Sequence, residues 1–254
     1  MIDTDAARRF VQLHGRLLDR RRLDRVLDGA PAASVVAAVM AYANPDGGFA
    51  GVIEPDSRTT SSQPIGALTA LELLHEAGAE APPAAFEWLE SVALADGGIP
   101  FSLPSADGAP HAPWMAPSEG SSFHMTAAVA AAALRLGAEH AWVERASAFC
   151  SRHLAAGSEL SAYETRYALE FLDAAGDREG HERLGARLPP DGRLPVRGGV
   201  EGETIAVFGP SRAELEQGQR EDGGWDFDWL AWSPVAAFEW RARLTVDALV
   251  ALAD

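Results

Sequence analysis

Four short segments of this 254-residue chain superimpose without gaps and place titratable side chains in shared columns. They are Ser61-Ser-Gln63-Pro-Ile-Gly66, Ser121-Ser-Phe123-His-Met-Thr126, Ser161-Ala-Tyr163-Glu-Thr-Arg166 and Ala236-Ala-Phe238-Glu-Trp-Arg241. Two of the four read aromatic-Glu-x-Arg, and His124 shares the column of Glu164 and Glu239. Each segment opens an apolar helical run. The start of a helix presents free N–H groups and partial positive charge, so polar residues there either cap the helix or meet an anion or an acid. Glu164, Glu239 and His124 are therefore candidate acid–base groups. Arg166 and Arg241 are candidate anion partners, with Gln63, Tyr163 and Phe238 as binding side chains in the same register. A structural reading stands beside this one. Glutamate in a first turn is favoured by the dipole alone, and these charges could pair between neighbouring helices.

A second cluster, Glu54-Pro-Asp56-Ser-Arg58-Thr-Thr-Ser-Ser-Gln63, leads into the first of those helices. Asp56 and Arg58 are candidates for substrate contact, against turn chemistry and capping by Ser61 or Ser62. Aromatic side chains concentrate near the C-terminus, with Trp225, Phe227, Trp229, Trp232, Phe238 and Trp240. Their faces stabilise cations, stack on sugars, or simply fill a core. Trp114 and His111 lie in a proline-rich loop that reads as a lid.

The elements that must position these groups are helical, since strand alternation is scarce. The spacing predicts helices over 5–28, 32–43, 62–78, 82–94, 122–136, 139–155, 161–175, 177–187, 211–218 and 234–252. Gly29, Gly78, Gly137 and Gly176 punctuate their ends. Some helices are amphipathic, as at 139–155, and others are apolar nearly all round, as at 125–134. Apolar helices inside amphipathic ones make a single all-α, α/α toroid domain over 1–254. Ten helices give five hairpins, and a sixth would have to come from the long segments 100–120 or 189–210.

Composition narrows the chemistry. Hydrophobic residues make up 47% and charged residues 23%, a globular balance. The net charge of −16 disfavours nucleic acid and anionic membranes. Every basic side chain is arginine, which excludes Schiff-base lysine chemistry and a P-loop. Cys150 is the only cysteine, so neither an internal disulfide nor a multi-thiolate metal site can form; with His153 one turn on, a buried thiol and a surface histidine are expected. Without a signal core or a span-length apolar run, a cytoplasmic location is the expectation.

A glycine turn recurs along the chain. Asp46-Gly-Gly-Phe49, Asp96-Gly-Gly-Ile99 and a degraded Asp191-Gly-Arg-Leu194 precede the fullest copy, Gln219-Arg-Glu-Asp-Gly-Gly-Trp225. The last fits Q-x-x-x-G-x-W and resembles the QW repeat of the terpenoid cyclase (squalene–hopene cyclase) and prenyltransferase superfamily. The resemblance implies an α/α toroid in which Gln219, Gly223 and Trp225 tie outer helices together, and it places key residues at the rim of the inner helices. The acid motif Asp-x-Asp-Asp of protonating cyclases is absent, Asp226-Phe-Asp228-Trp229 coming closest, and so is the magnesium motif Asp-Asp-x-x-Asp.

An isoprenoid-handling enzyme is thus expected, with Glu164, Glu239, Asp56 or Asp228 as proton donor or base in an aromatic-lined cavity. Trp114, Trp229 and Trp232 would contact the substrate. Arg58, Arg166 and Arg241, with magnesium, would serve if that substrate is a diphosphate. Such cyclases commonly place the cavity between two barrels, so a second subunit or homodimer is a further expectation. The competing classes are a carbohydrate-active α/α-barrel hydrolase or lyase and a non-catalytic scaffold.

Overall fold

The computed structural model describes residues 2–197 and 202–253, and the chain falls into two compact units. One unit, Tyr42–Phe208, carries α4 (Pro64–Glu76), α5 (Pro83–Val92), α6 (Phe123–Arg135), α7 (Ala141–Ala155), α8 (Ala162–Ala174) and α9 (Arg178–Gly185). The other joins Met1–Ala41 to Gly209–Asp254. It holds α1 (Thr4–His14), α2 (Leu17–Asp28), α3 (Ala32–Met40), α10 (Arg212–Gln217) and α11 (Pro234–Ala253).

The core of the larger unit is built on α6. Met125 through Ala133 are all buried, and six of those nine residues are alanine. Small side chains let α4 and α8 pack closely on this helix while α7 covers it from outside. Leu71, Met125, Trp142 and Leu169 fill the remaining space, each contributing about 1.5–3 kcal/mol by leaving water. In the smaller unit Ala7, Val11, Leu23, Trp225 and Val246 form the equivalent core.

The structure keeps the predicted helices with two differences. The span 5–28 is two helices, broken at Gly15, which is extended (φ −78°, ψ 148°). A Cβ there would lie 2.7 Å from the Val11 carbonyl oxygen. Asp19 then accepts from the Arg16 amide at 2.9 Å and starts a new helix. The second difference concerns the long segments. Residues 100–120 form 3₁₀ turns at Pro104–Gly108 and Pro113–Met115, and the described part of 189–210 pairs Arg193–Pro195 with Thr204–Ala206 as an antiparallel hairpin. Neither carries an α-helix among the described residues. Gly198 and Gly199 lie outside them.

The repeated Asp-Gly-Gly turn recurs in the same form in three places. Asp46 Oδ1 accepts from the Gly48 amide (3.0 Å) and the Ser62 hydroxyl (2.7 Å). Asp96 Oδ1 does the same with Gly98 (3.1 Å) and Ser121 (2.6 Å). Asp222 accepts from Gly224 (3.1 Å), and Arg241 replaces the serine with two bonds of 2.8 and 2.9 Å. The first glycine of each turn has φ of 90–94°. A Cβ on it would meet the carbonyl oxygen of Ala84, Arg145 or Ala6 at 2.3–2.6 Å. A Cβ on the second glycine would strike Trp88, Phe149 or Phe10, four residues further along the same outer helix. The spacing of carbonyl and aromatic is thus one helical turn in all three.

Gln219 bonds to the residue that caps the start of α1. Its amide donates to the Asp3 carbonyl (2.8 Å) and its oxygen accepts from the Asp3 amide (2.8 Å), while the Trp225 indole donates to the Leu215 carbonyl (2.9 Å). α1 and α10 are tied together by these groups. Gly97→Ala is expected to cost at least about 1–3 kcal/mol, because strain and collision coincide there. Gly137→Ala, with φ 67° and open space around it, should cost less. Urea denaturation of the two variants checks the ordering, and equal losses would contradict it.

Candidate functional site

The segment Glu54–Gln63 is folded by the turn that precedes it. Phe49 O accepts from the Gln63 amide (3.0 Å), which fixes Gln63 as the N-cap of α4. The same bond recurs between Ile99 O and the Ser122 amide (2.8 Å), and Ser122 caps α6. Ile99 N donates to Thr126 Oγ1, Trp225 N donates to Thr245 Oγ1, and both threonines bond back to the carbonyl four residues earlier. Thr165 bonds back to Ser161 in the same way.

These bonds set a register different from the ungapped superposition. Gln63, Ser122, Ser161 and Arg241 are equivalent, so Glu164 corresponds to Met125 and Leu244, and Glu239 lies outside its column. α11 begins well before its Arg241, at Pro234, and a sequence match anchored on helix starts slips there.

In the larger unit several candidates come together around His124. Its ring stacks on Tyr163 (centroids 5.6 Å apart) and Tyr167 (4.8 Å), and Phe101 meets it edge-on at 5.2 Å. Burial in this aromatic box lowers the imidazole to about 4; Glu164 partly opposes the shift and Arg166 adds to it. His124 is therefore neutral at pH 7.

Glu164 forms a capping box with Ser161, accepting from its amide at 2.8 Å, so the dipole reading describes its position. Arg166 donates to Glu170 (3.0 Å) and lies 5.7 Å from the Tyr167 ring. Burial would lower its pKa, yet Tyr167, Glu170 and Glu72 more than offset that and raise it. Burial pushes the Tyr167 phenol up, against Arg166, with Glu72, Glu170 and Glu54 pushing the same way as burial.

Asp56 is buried at 4% exposure and accepts from the Trp114 indole N–H at 3.0 Å. Glu54 is buried beside it in sequence and accepts from Thr69 Oγ1 at 3.0 Å. Gln63, fully buried, binds the loop opposite: its Nε2 donates to Ser105 Oγ (2.8 Å) and its Oε1 accepts from Leu103 N (2.9 Å). Arg58 donates its amide to the Pro110 carbonyl (2.9 Å). The loop expected as a lid is thus fastened along 56–63. Glu54, Thr69, Glu72, Phe101, Tyr167 and Glu170 escaped the list of candidates. Only the helical phase of Glu72 on α4, and of Tyr167 and Glu170 on α8, could have flagged them.

The remaining candidates belong to the smaller unit. Phe238, 46% exposed, stacks on His14 at 4.5 Å. Trp229 stacks on Phe227 (4.7 Å) and meets Trp240 edge-on (5.3 Å). Trp232 and Glu239 are half-buried, and Asp228 is exposed. Arg241 clamps Asp222, holding that carboxyl below its usual range, and lies 4.5 Å over the Phe10 ring. An open hollow of about 430 Å³ between α1 and α2 is lined by Gln12, Leu17, Arg20, Arg21, Leu23 and Asp24, none of them a candidate.

Cys150 is fully buried and burial raises its thiol to about 12, so it is unreactive; His153 stacks on Phe123 at 4.1 Å. Among the described residues no three His, Cys, Asp or Glu side chains converge where they could hold a metal ion, and no helix is long and apolar enough to cross a membrane.

No protein-family model and no curated protein matches the chain. A solved structure does. It is a type II terpene cyclase from Scytonema in complex with its substrate, geranylgeranyl dihydroxybenzoate. The two share 14% identity at a TM-score of 0.54, over 98% of this chain and 96% of that one. The fold is terpene-cyclase-like. It is an all-α, α/α toroid fold, as the recurrent turns and buried helices require.

The neutral His124 has a consequence for stability. The unfolded chain takes up a proton near 6.5 that the folded one refuses until about 4. Stability therefore falls as pH drops through that window and is unaffected above it. His124→Phe removes this contribution. Urea midpoints at pH 7 and pH 5 should separate less in the variant than in the wild type; parallel losses would refute the buried neutral ring.

Proposed function

We propose that the chain is a cyclase-like enzyme of the QW-repeat terpenoid type, a single toroid domain acting on an isoprenoid. The observation that carries this reading is that one unit holds both a buried carboxyl, Asp56, and a neutral histidine enclosed in an aromatic box. Protonating an alkene needs an acid shielded from water, and guiding the resulting cation needs aromatic faces and a base that is not already charged. Asp56 is the donor. Its O–H bond breaks as a C–H bond forms at the terminal alkene carbon, leaving a carboxylate and a cation on the chain. After ring closure a C–H bond adjacent to the last cation breaks, its electrons form the new double bond, and His124 takes the proton.

The other carboxylates receive lesser roles. Glu164 holds the start of α8, which carries Tyr163 and Tyr167 against His124. Glu239, Trp229, Trp232 and Phe238 belong to the smaller unit and are given no part in this step. Arg58, Arg166 and Arg241 are already engaged by carbonyl or carboxylate groups, so an uncharged prenyl chain fits better than a diphosphate, and no step needs magnesium. The cyclase of similar fold was solved with a prenylated dihydroxybenzoate, which favours a prenyl chain on an aromatic head as the first substrate to try.

Incubation with polyprenyl hydrocarbons and geranylgeranylated hydroxybenzoates, followed by mass-spectrometric product analysis, tests the reading. Cyclised isomers of unchanged mass are expected from the wild type. Asp56→Asn should lose at least about a hundredfold in rate, the usual worth of a general acid. An Asp56→Asn variant that cyclises normally would overturn the assignment.

A further inference from the structure

The contact between Trp114 and Asp56 does more than cover a buried acid. An indole N–H can only donate, so whichever carboxyl oxygen it touches must act as acceptor. Trp114 Nε1 lies 3.0 Å from Asp56 Oδ2. The carbonyl oxygen of a carboxylic acid is a better acceptor than its hydroxyl oxygen. When Asp56 is protonated, the indole contact therefore favours the hydrogen on Oδ1. From this geometry we infer that Trp114 is a positioning residue, one that selects the oxygen from which Asp56 delivers its proton. The inference rests on the role proposed for Asp56.

The indole is held independently of the bond it makes. Pro113 starts the 3₁₀ turn that carries Trp114, and the Met115 amide closes it on the Ala112 carbonyl at 2.9 Å. The Ala112 amide donates to the backbone carbonyl of Asp56 itself (2.8 Å), and Ser57 pairs with His111 as an isolated antiparallel bridge. Donor and acceptor thus sit on two strands already fastened to each other. The base of the loop is closed by Ser118, whose amide donates to Ser102 O (3.1 Å) and whose hydroxyl accepts from Phe101 N (3.0 Å). Gln63 pins the same base through Leu103 and Ser105. A side chain 44% exposed would otherwise sample several rotamers; here the backbone on both sides limits it.

The test uses the full chain. Among the seven tryptophan indole N–H signals in a proton–nitrogen NMR spectrum, Trp114→Phe identifies one by its loss. That signal should move with pH in the wild type and stay fixed in Asp56→Asn, which keeps an acceptor oxygen but cannot ionise. A Trp114 signal that ignores pH, or that titrates equally in Asp56→Asn, overturns the inference without reference to any activity. In the cyclisation assay, Trp114→Phe should lower kcat about tenfold or more with KM nearly unchanged, the pattern for an interaction realised in the transition state. An unaltered kcat, or a rise in KM alone, would also overturn it. An Asp56→Asn variant that still turns over fully would sink the acid assignment instead, and the NMR result would stand apart from that failure.

Discussion

The same carboxylate-to-backbone clamp recurs at three places in this chain, just ahead of α4, just ahead of α6 and against α11. A single aspartate oxygen accepts both from the second glycine amide and from a group on the next helix: Ser62, Ser121 or, with two bonds, Arg241. Hydrogen bonds to a charged acceptor are worth about 1.5–3 kcal/mol each, so each clamp rivals a buried leucine. The glycines allow it, because only a residue without Cβ fits under the outer-helix carbonyl and aromatic. At α4 and α6 the clamp stands directly before the helix start and so fixes where the first turn begins, whereas α11 starts earlier, at Pro234.

In the first turns and lead-in segments of α4 and α6 the usual burial rule is relaxed. α6 is buried from Met125 to Ala133, yet the residue before that run is a histidine enclosed by three aromatic rings. Glu54, Asp56 and Gln63 are nearly inaccessible to water, and each is hydrogen-bonded to another segment: Thr69, Trp114 or the Leu103–Ser105 loop. Burying such groups costs stability unless they are paired, and for Asp56 and Gln63 the pairing comes from a loop of five prolines that forms no α-helix. The loop's irregularity frees its N–H and C=O groups to satisfy the acid segment.

Much of this was readable in advance, and the parts that were not have physical causes. The Asp-Gly-Gly turns, nearly all the helices and the α/α fold follow from local pattern, because period and punctuation are local. The break at Gly15 was missed because polar and apolar residues keep their helical phase across it. His124, Tyr163 and Arg166 stood out as first-turn residues of the superimposed segments. Their partners Tyr167, Glu170 and Glu72 did not, since only packing of α4 and α8 against α6 brings them near. The matched column itself slipped at α11, which extends beyond the clamp by about two turns. Helix starts are visible in sequence; the hydrogen bonds that define equivalent positions are not.

The claim that the clamp builds the site can be tested at one residue. Asp96→Ala removes the acceptor shared by Gly98 and Ser121, three residues before His124, and leaves the aromatic box itself unaltered in composition. Following the His124 ring protons by NMR as pH falls would report whether the box still closes. If the clamp positions the start of α6, the titration midpoint of His124 should rise from about 4 toward its ordinary 6.5. A midpoint unchanged in a folded Asp96→Ala protein would show that packing alone places the histidine, and the account would be wrong at its root.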